Sequence, residues 1–121
     1  MIDYIGIPTR QLELMKAFYE TALAPLGYEK VFEHEQGAGF GQDGEIALWI
    51  VATGSDGRGV NIALQSQDRV GVVRFYNAAM ANGASSNGGP ALRPEFHPDF
   101  FAAFVIDPDG NNLSAICRTH E

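Results

Sequence analysis

The side chains of this chain that could hold a cation or move a proton are three histidines, one cysteine and fifteen carboxylates. Their spacing forms no familiar ligand pattern. No His-x3-His pair occurs, His34 is flanked by Glu33 and Glu35, and His97 follows Glu95; neither arrangement has metal-ligand spacing. His97 has two readings. It pins its own loop by a hydrogen bond, or it stands beside a pocket and serves as acid or base. His120, one residue from the end of the sequence, is expected to be mobile. Arg93 could recognise a carboxylate or phosphate group, and the plainer alternative is a solvated loop arginine. Cys117 lies in an apolar run with no second cysteine to pair with, and it reads as a buried structural thiol rather than a nucleophile.

Composition narrows the partners. Of the 121 residues, 45% are hydrophobic and 19% charged, a globular balance with room for one domain. The net charge of −7, with Lys and Arg scattered singly, argues against nucleic acid. It either steers cationic ligands weakly or only maintains solubility. The longest apolar run, Ile46 to Ala52, is far short of the roughly 20 residues that cross a bilayer. No basic start followed by an apolar stretch marks a secretion signal, so no membrane contact and a cytoplasmic location are expected.

Those residues need elements to position them. Ile2 to Ile7 reads as a first strand ended by Pro8, with Thr9 as helix cap. From Arg10 to about Leu23, apolar residues recur at helical spacing until Pro25 and Gly27 stop them. Runs at Tyr28–His34, Ala38–Gly41 and Ile46–Ala52 read as strands, and Asp43-Gly44 is a tight-hairpin signal. The pattern then repeats. Val60–Gln65 is a strand, and Ser66 or Asp68 caps a second helix whose buried face is expected to carry Val72, Val73, Tyr76, Ala79 and Met80. Asn82-Gly83 ends that helix, and Ser85–Pro94 is a loop or irregular strand. Phe100–Ile106 and Leu113–Arg118 are strands around the turn Asp107-Pro108-Asp109-Gly110.

The halves align on the sequence itself. A shift of 57 puts Ile5 on Ile62, Phe18 on Phe75, Tyr19 on Tyr76 and Ala22 on Ala79, and a shift of 66 puts Asp43-Gly44 on Asp109-Gly110. This implies an internal duplication: residues 1–52, a Gly- and Ser-rich connector at 53–59, and residues 60–121, each unit a strand, a helix and three strands. Two such units can curve their sheets around a shared cleft.

Units opening with Ile2-Asp3-Tyr4-Ile5-Gly6-Ile7-Pro8 and closing with Asp107-Pro108-Asp109-Gly110-Asn111-Asn112-Leu113 resemble the vicinal oxygen chelate superfamily. That superfamily includes glyoxalase I, extradiol dioxygenases, and bleomycin- and fosfomycin-resistance proteins. Ala17-Phe18-Tyr19-Glu20 and Leu26-Gly27-Tyr28 fit its first helix and the turn after it, while Arg93-Pro94 and His97-Pro98 resemble a glyoxalase-like bacterial branch. The resemblance implies an α+β fold of two tandem βαβββ modules in a half-open eight-stranded barrel, helices outside. It also implies a homodimer with the pocket near the subunit interface.

Enzymes of that superfamily hold a divalent metal on inward-pointing His and Glu side chains, and its open positions act as a Lewis acid. Carried over position by position, the resemblance puts Tyr4, Asn61 and Ser114 where ligands would stand, and the shift of 66 adds Leu48. A phenol, an amide, a hydroxyl and an alkyl group offer a cation no adequate donors, so neither metal nor other cofactor is expected. Where the branch carries tyrosines after the His-Pro pair, this chain has Phe100 and Phe101, which makes the pocket more apolar. Trp49, beside Leu48, is expected on the opposite strand face, under a helix.

The expected function is therefore metal-free binding of a small organic molecule, with Tyr4, Leu48, Asn61, Ser114, Arg93, His97 and Phe101 as the candidate lining. Two alternatives remain open. One is a lyase, isomerase or dioxygenase using a displaced metal or His97; the other is a vestigial pocket in a partner-binding protein.

Overall fold

A computed structural model describes residues 2–53 and 58–121, so residues 54–57 of the expected connector lie outside the described residues. In chain order the first half contains β1 (Ile5–Thr9), α1 (Leu12–Leu23), a 3-10 turn (Ala24–Leu26), β2 (Glu29–His34), β3 (Gly37–Gln42) and β4 (Glu45–Ala52). The second contains β5 (Asn61–Gln65), α2 (Arg69–Ala81), the two-residue strands β6 (Ser85–Ser86) and β7 (Ala91–Leu92), β8 (Phe101–Ile106) and β9 (Asn112–Cys117). Strand order is β1-β4-β3-β2 in one sheet and β5-β9-β8-β6 in the other, with β7 also on β8. In both sheets the first strand runs parallel to the last, and the remaining pairs are antiparallel.

Two mixed sheets with two helices make up the fold, as the α+β reading implied. Neither sheet closes, and among the described residues no strand of one pairs with a strand of the other. The Ser85–Pro94 segment is divided because Gly88, at φ 132, and Pro90 interrupt the ladder. The opening strand starts at Ile5 rather than Ile2 and runs through Pro8, which an edge strand tolerates.

Local chemistry sets the helix ends. The helix expected from Arg10 begins at Leu12 with Gln11 as its cap residue, without a side-chain cap bond. Thr9 acts one step earlier: its hydroxyl accepts the Gln11 N–H at 3.0 Å and donates to Asp109 at 2.6 Å. In the second half Asp68 caps α2, accepting the Gly71 N–H at 2.7 Å, while Ser66 donates to the Asp68 carbonyl. Gly71 is required there, since a Cβ would lie 2.2 Å from Ser66 Oγ.

Met15, Phe18, Tyr19, Ala22 and Leu23 form the buried face of α1, and Gly71, Val72, Phe75 and Ala79 that of α2. Val73 and Met80, expected inside, are exposed, because the stripe centres on Phe75, the counterpart of Phe18. The helices pack on each other and on the 3-10 turn, and one apolar cluster takes in Ile7, Phe40 and Ile50 from the first sheet and Val105 and Leu113 from the second. Full burial contributes roughly 1.5–3 kcal/mol per large side chain.

A polar clasp joins the halves. Asp107, almost fully buried, accepts the N–H groups of Asp109 and Asn111 on one oxygen, and the Asn111 amide and Tyr19 hydroxyl (2.5 Å) on the other. Four donors satisfy the buried carboxylate. Burial, reinforced by the Asp107 charge, holds the Tyr19 hydroxyl protonated well above its ordinary pKa of 10. No helix among the described residues is long and apolar enough to cross a membrane.

Candidate functional site

With both helices on one side, each sheet leaves its other face open, and the strand registers decide what that face presents. The β3–β4 hairpin turns at Asp43-Gly44, both with positive φ (54° and 79°), as the sequence implied. The ladder then pairs Gly41 with Ile46 and Phe40 with Leu48, leaving Ala47 as an extra residue. This bulge shifts the alternation by one position. Leu48 and Ile50 enter the core, and Trp49 stands on the open face.

The bulge corrects the expected fourth position. Gly6 pairs with Trp49 in the first sheet, and Ala63 pairs with Ser114 in the second. Gly6 and Ala63 are related by the shift of 57, so Trp49 and not Leu48 is the counterpart of Ser114. The shift of 66 matched two turns of different length: Gln42 pairs with Glu45 across one, and Ile106 with Asn112 across the other. Trp49 therefore does not pack under a helix, and Leu48 lines no open site.

On the first sheet the open face is aromatic. Tyr4 and Phe32 meet Trp49 edge-on, with ring centres 6.4 and 5.8 Å apart, and His34 lies 5.5 Å from Phe32. Gly39 pairs with Trp49 on one side and Phe32 on the other, so no side chain of β3 separates the two rings. A hollow of about 600 Å³ adjoins Tyr4, Ile46 and Trp49 and is edged by Asp3 and Glu45.

The second sheet presents a different chemistry. Ser114 lies between Ala63 and Phe104 in the register, nearly inaccessible, with its hydroxyl 3.4 Å from the Ile62 carbonyl. Asn61 accepts from the Asn112 amide at 2.7 Å, and Asn112 in turn accepts from Asn87 at 2.9 Å. Beyond Ser114 lies a cavity of about 440 Å³, lined by Phe96, His97, Phe100, Phe104 and Arg118. Phe101, an expected lining residue, turns to the other face, where it packs against the core and carries the Arg69 guanidinium at 5.4 Å. Strand alternation explains this: Phe101 pairs with the buried Cys117, whereas Phe104 pairs with Ser114.

Two arginines stand over rings of this face, Arg93 at 5.0 Å from the Phe104 centre and Arg118 at 5.2 Å from that of Phe100. Arg93 donates from Nη2 to the Gly89 carbonyl, and its buried Nε has no acceptor. His97 Nδ1 accepts the Asp99 N–H at 3.0 Å, which in the neutral ring assigns the proton to Nε2. His120, expected to be mobile, is bonded to Asp99 at 2.9 Å, and that bond, foremost, holds the Asp99 carboxyl below its usual pKa. Cys117 is buried, with its sulfur 2.7 Å from the Thr119 hydroxyl.

The expected residues thus divide between two faces. Tyr4 belongs to the first sheet, and Asn61, Ser114, Arg93 and His97 to the second. Phe100, expected beside Phe101 at the pocket, does line it; the signal for the residues missed, Phe96, Phe104, Arg118 and Trp49, was partly present, since Phe104 shares strand parity with Phe100, while the Ala47 bulge leaves no mark in composition. Tyr4, Trp49, Asn61 and Ser114 supply no imidazole and no carboxylate, so this donor set does not fit a divalent metal. Among the described residues no group of three or more His, Cys, Asp or Glu side chains could hold one elsewhere.

No protein-family model matches the chain, and no curated protein matches its sequence. Solved structures do match. A glyoxalase/bleomycin resistance protein from Albidiferax ferrireducens T118 superposes with a TM-score of 0.84 at 22% identity, over 98% of this chain and 99% of its own. A glyoxalase/bleomycin resistance protein/dioxygenase family enzyme from Burkholderia phytofirmans PsJN gives 0.73 at 19% identity, over 97% and 98%. Lactoylglutathione lyase from Agrobacterium tumefaciens gives 0.70 at 17% identity, over 97% and 92%. The chain shares the fold of these glyoxalase and bleomycin resistance protein structures.

Proposed function

We propose that this chain of glyoxalase and bleomycin-resistance fold binds a small organic molecule, without a metal, against the open face of its second sheet. The observation carrying this reading is the 440 Å³ cavity walled by Phe96, Phe100 and Phe104, the last of which pairs with Ser114. Such a wall favours an apolar body through burial, and a few polar groups at its margin fix orientation. His97 enters as a donor, since Nδ1 is already occupied. That arrangement favours holding a ligand over removing a proton from it.

In this reading the protein acts as a homodimer in the cytoplasm. The exposed aromatic face of Tyr4, Phe32 and Trp49 is the surface through which two subunits meet, which leaves the second sheet's cavity open to its ligand.

Thermal unfolding against a panel of small apolar and charged molecules tests the binding. Binders raise Tm, by an amount equivalent to about 2.7 kcal/mol at a concentration one hundred times Kd. Elemental analysis of untagged protein tests the absence of metal: one zinc, nickel, manganese or iron per chain overturns the reading. Sedimentation tests the dimer, which Trp49→Glu is expected to dissociate.

A further inference from the structure

We infer that the molecule held on the second sheet carries a carboxylate, read by the Arg118 guanidinium with His97 beside it. This rests on the binding reading above and adds the ligand's charge. Lys16, Lys30 and Arg69 each have a carboxylate within 4.0 Å; Arg58, Arg74, Arg93 and Arg118 have none among the described residues, and of these Arg118 alone lines the cavity. Arg118 has neither an acid partner nor a hydrogen bond among the described residues, in a chain whose net charge is −7. An unclaimed guanidinium in the wall of an apolar cavity, in a protein with acid to spare, is the group left for a ligand.

The geometry suits a planar anion. The Arg118 guanidinium, its carbon 5.2 Å from the Phe100 ring centre, has no protein acceptor for its N–H groups among the described residues, so they can meet both oxygens of a carboxylate. His97 Nε2–H offers a further donor in the same wall. Arg93, over the Phe104 ring, adds positive charge at the margin while its Nη2 remains tied to Gly89. Phe96, Phe100 and Phe104 would receive the rest of the molecule, so the ligand class is an aryl or branched alkyl carboxylic acid. The first sheet's hollow, edged by Asp3 and Glu45, would repel such an anion; a cation would prefer that side.

Three probes with one body separate the claims: phenylacetate, phenylacetamide and phenethylamine, each titrated while the backbone resonances of Phe100, Phe104 and Arg118 are followed. Phenylacetate is expected to bind at least about tenfold more tightly than the amide, the range of a charge-assisted hydrogen bond. Arg118→Gln should bring the ratio of phenylacetate to phenylacetamide affinity close to one, with unaltered Tm showing that the exposed side chain was not holding the fold. Equal binding of all three probes, preference for the amine, or an Arg118→Gln variant that still selects phenylacetate overturns the carboxylate while leaving the binding reading intact. Binding of none overturns both.

Discussion

The two halves are alike where they face their helices and unlike where they do not. Phe18 and Phe75 occupy the same place, as do Ala22 and Ala79, and all four are buried. On the open faces, Trp49 stands opposite its counterpart Ser114 in chemistry, and Tyr4 opposite Asn61. One face gathers Tyr4, Phe32 and Trp49 beside Asp3 and Glu45, and the other Phe100, Phe104, Arg93 and Arg118. Packing density explains the likeness: a helix-side residue touches many neighbours, and a change of even one methylene is felt. Open-face residues meet fewer, so the two halves can differ there at little cost in stability.

That contrast predicts an order of mutational effects. The largest belongs to the matched pair: Phe18→Ala and Phe75→Ala should each cost about 3–5 kcal/mol in chemical denaturation. A surface-like cost at either position breaks the equivalence of the halves. Next comes the pair that the bulge separates. Leu48→Ala should cost about 2–5 kcal/mol as a core truncation, whereas Trp49→Ala should cost far less and instead weaken self-association. If Trp49 proves the costlier, the register of β4 is wrong. Smaller again is the difference between the matched tyrosines. Tyr19→Phe removes a donor from a buried carboxylate and should cost about 1–3 kcal/mol. Tyr76 bonds the exposed Ser86 hydroxyl, so Tyr76→Phe should stay within about 0.5 kcal/mol.

Periodicity carried most of the fold. The helical spacing from Leu12 to Leu23, the Asp-Gly hairpin and the 57-residue repeat are local signals, and the elements they imply are present with shifted ends. Face assignment was less legible. Ala47 is an ordinary residue in an apolar run, so nothing in composition marks it as the bulge that exchanges Leu48 for Trp49. The same parity rule would have placed Phe104 with Phe100 and turned Phe101 away, had strand pairing been known. Convergence of Tyr4 with Asn61 and Ser114 depends on how two sheets are set relative to each other, and that is a property of packing between helices, not of either strand.

The smallest effect concerns pH, and again the halves differ. In the first, Lys16 bonds Glu33 at 2.6 Å and also Glu13, while Lys30 bonds Glu33 at 3.0 Å. Those bonds, Lys16 first and then Lys30, hold the Glu33 carboxyl below its ordinary value of 4.5. A carboxyl lowered by folding adds stability that is complete above its unfolded value and is lost as pH falls through the lowered one. Glu33→Gln should therefore melt slightly below the wild type at pH 7, and the two curves should converge as pH drops below 4.5. Salt should narrow the gap, since these groups are solvated. In the second half, Asp99 is lowered chiefly by its bond to His120. A Glu33 deficit that does not narrow as pH falls below 4.5 would mean that the lysines are not what holds it, and the electrostatic difference between the two halves would disappear.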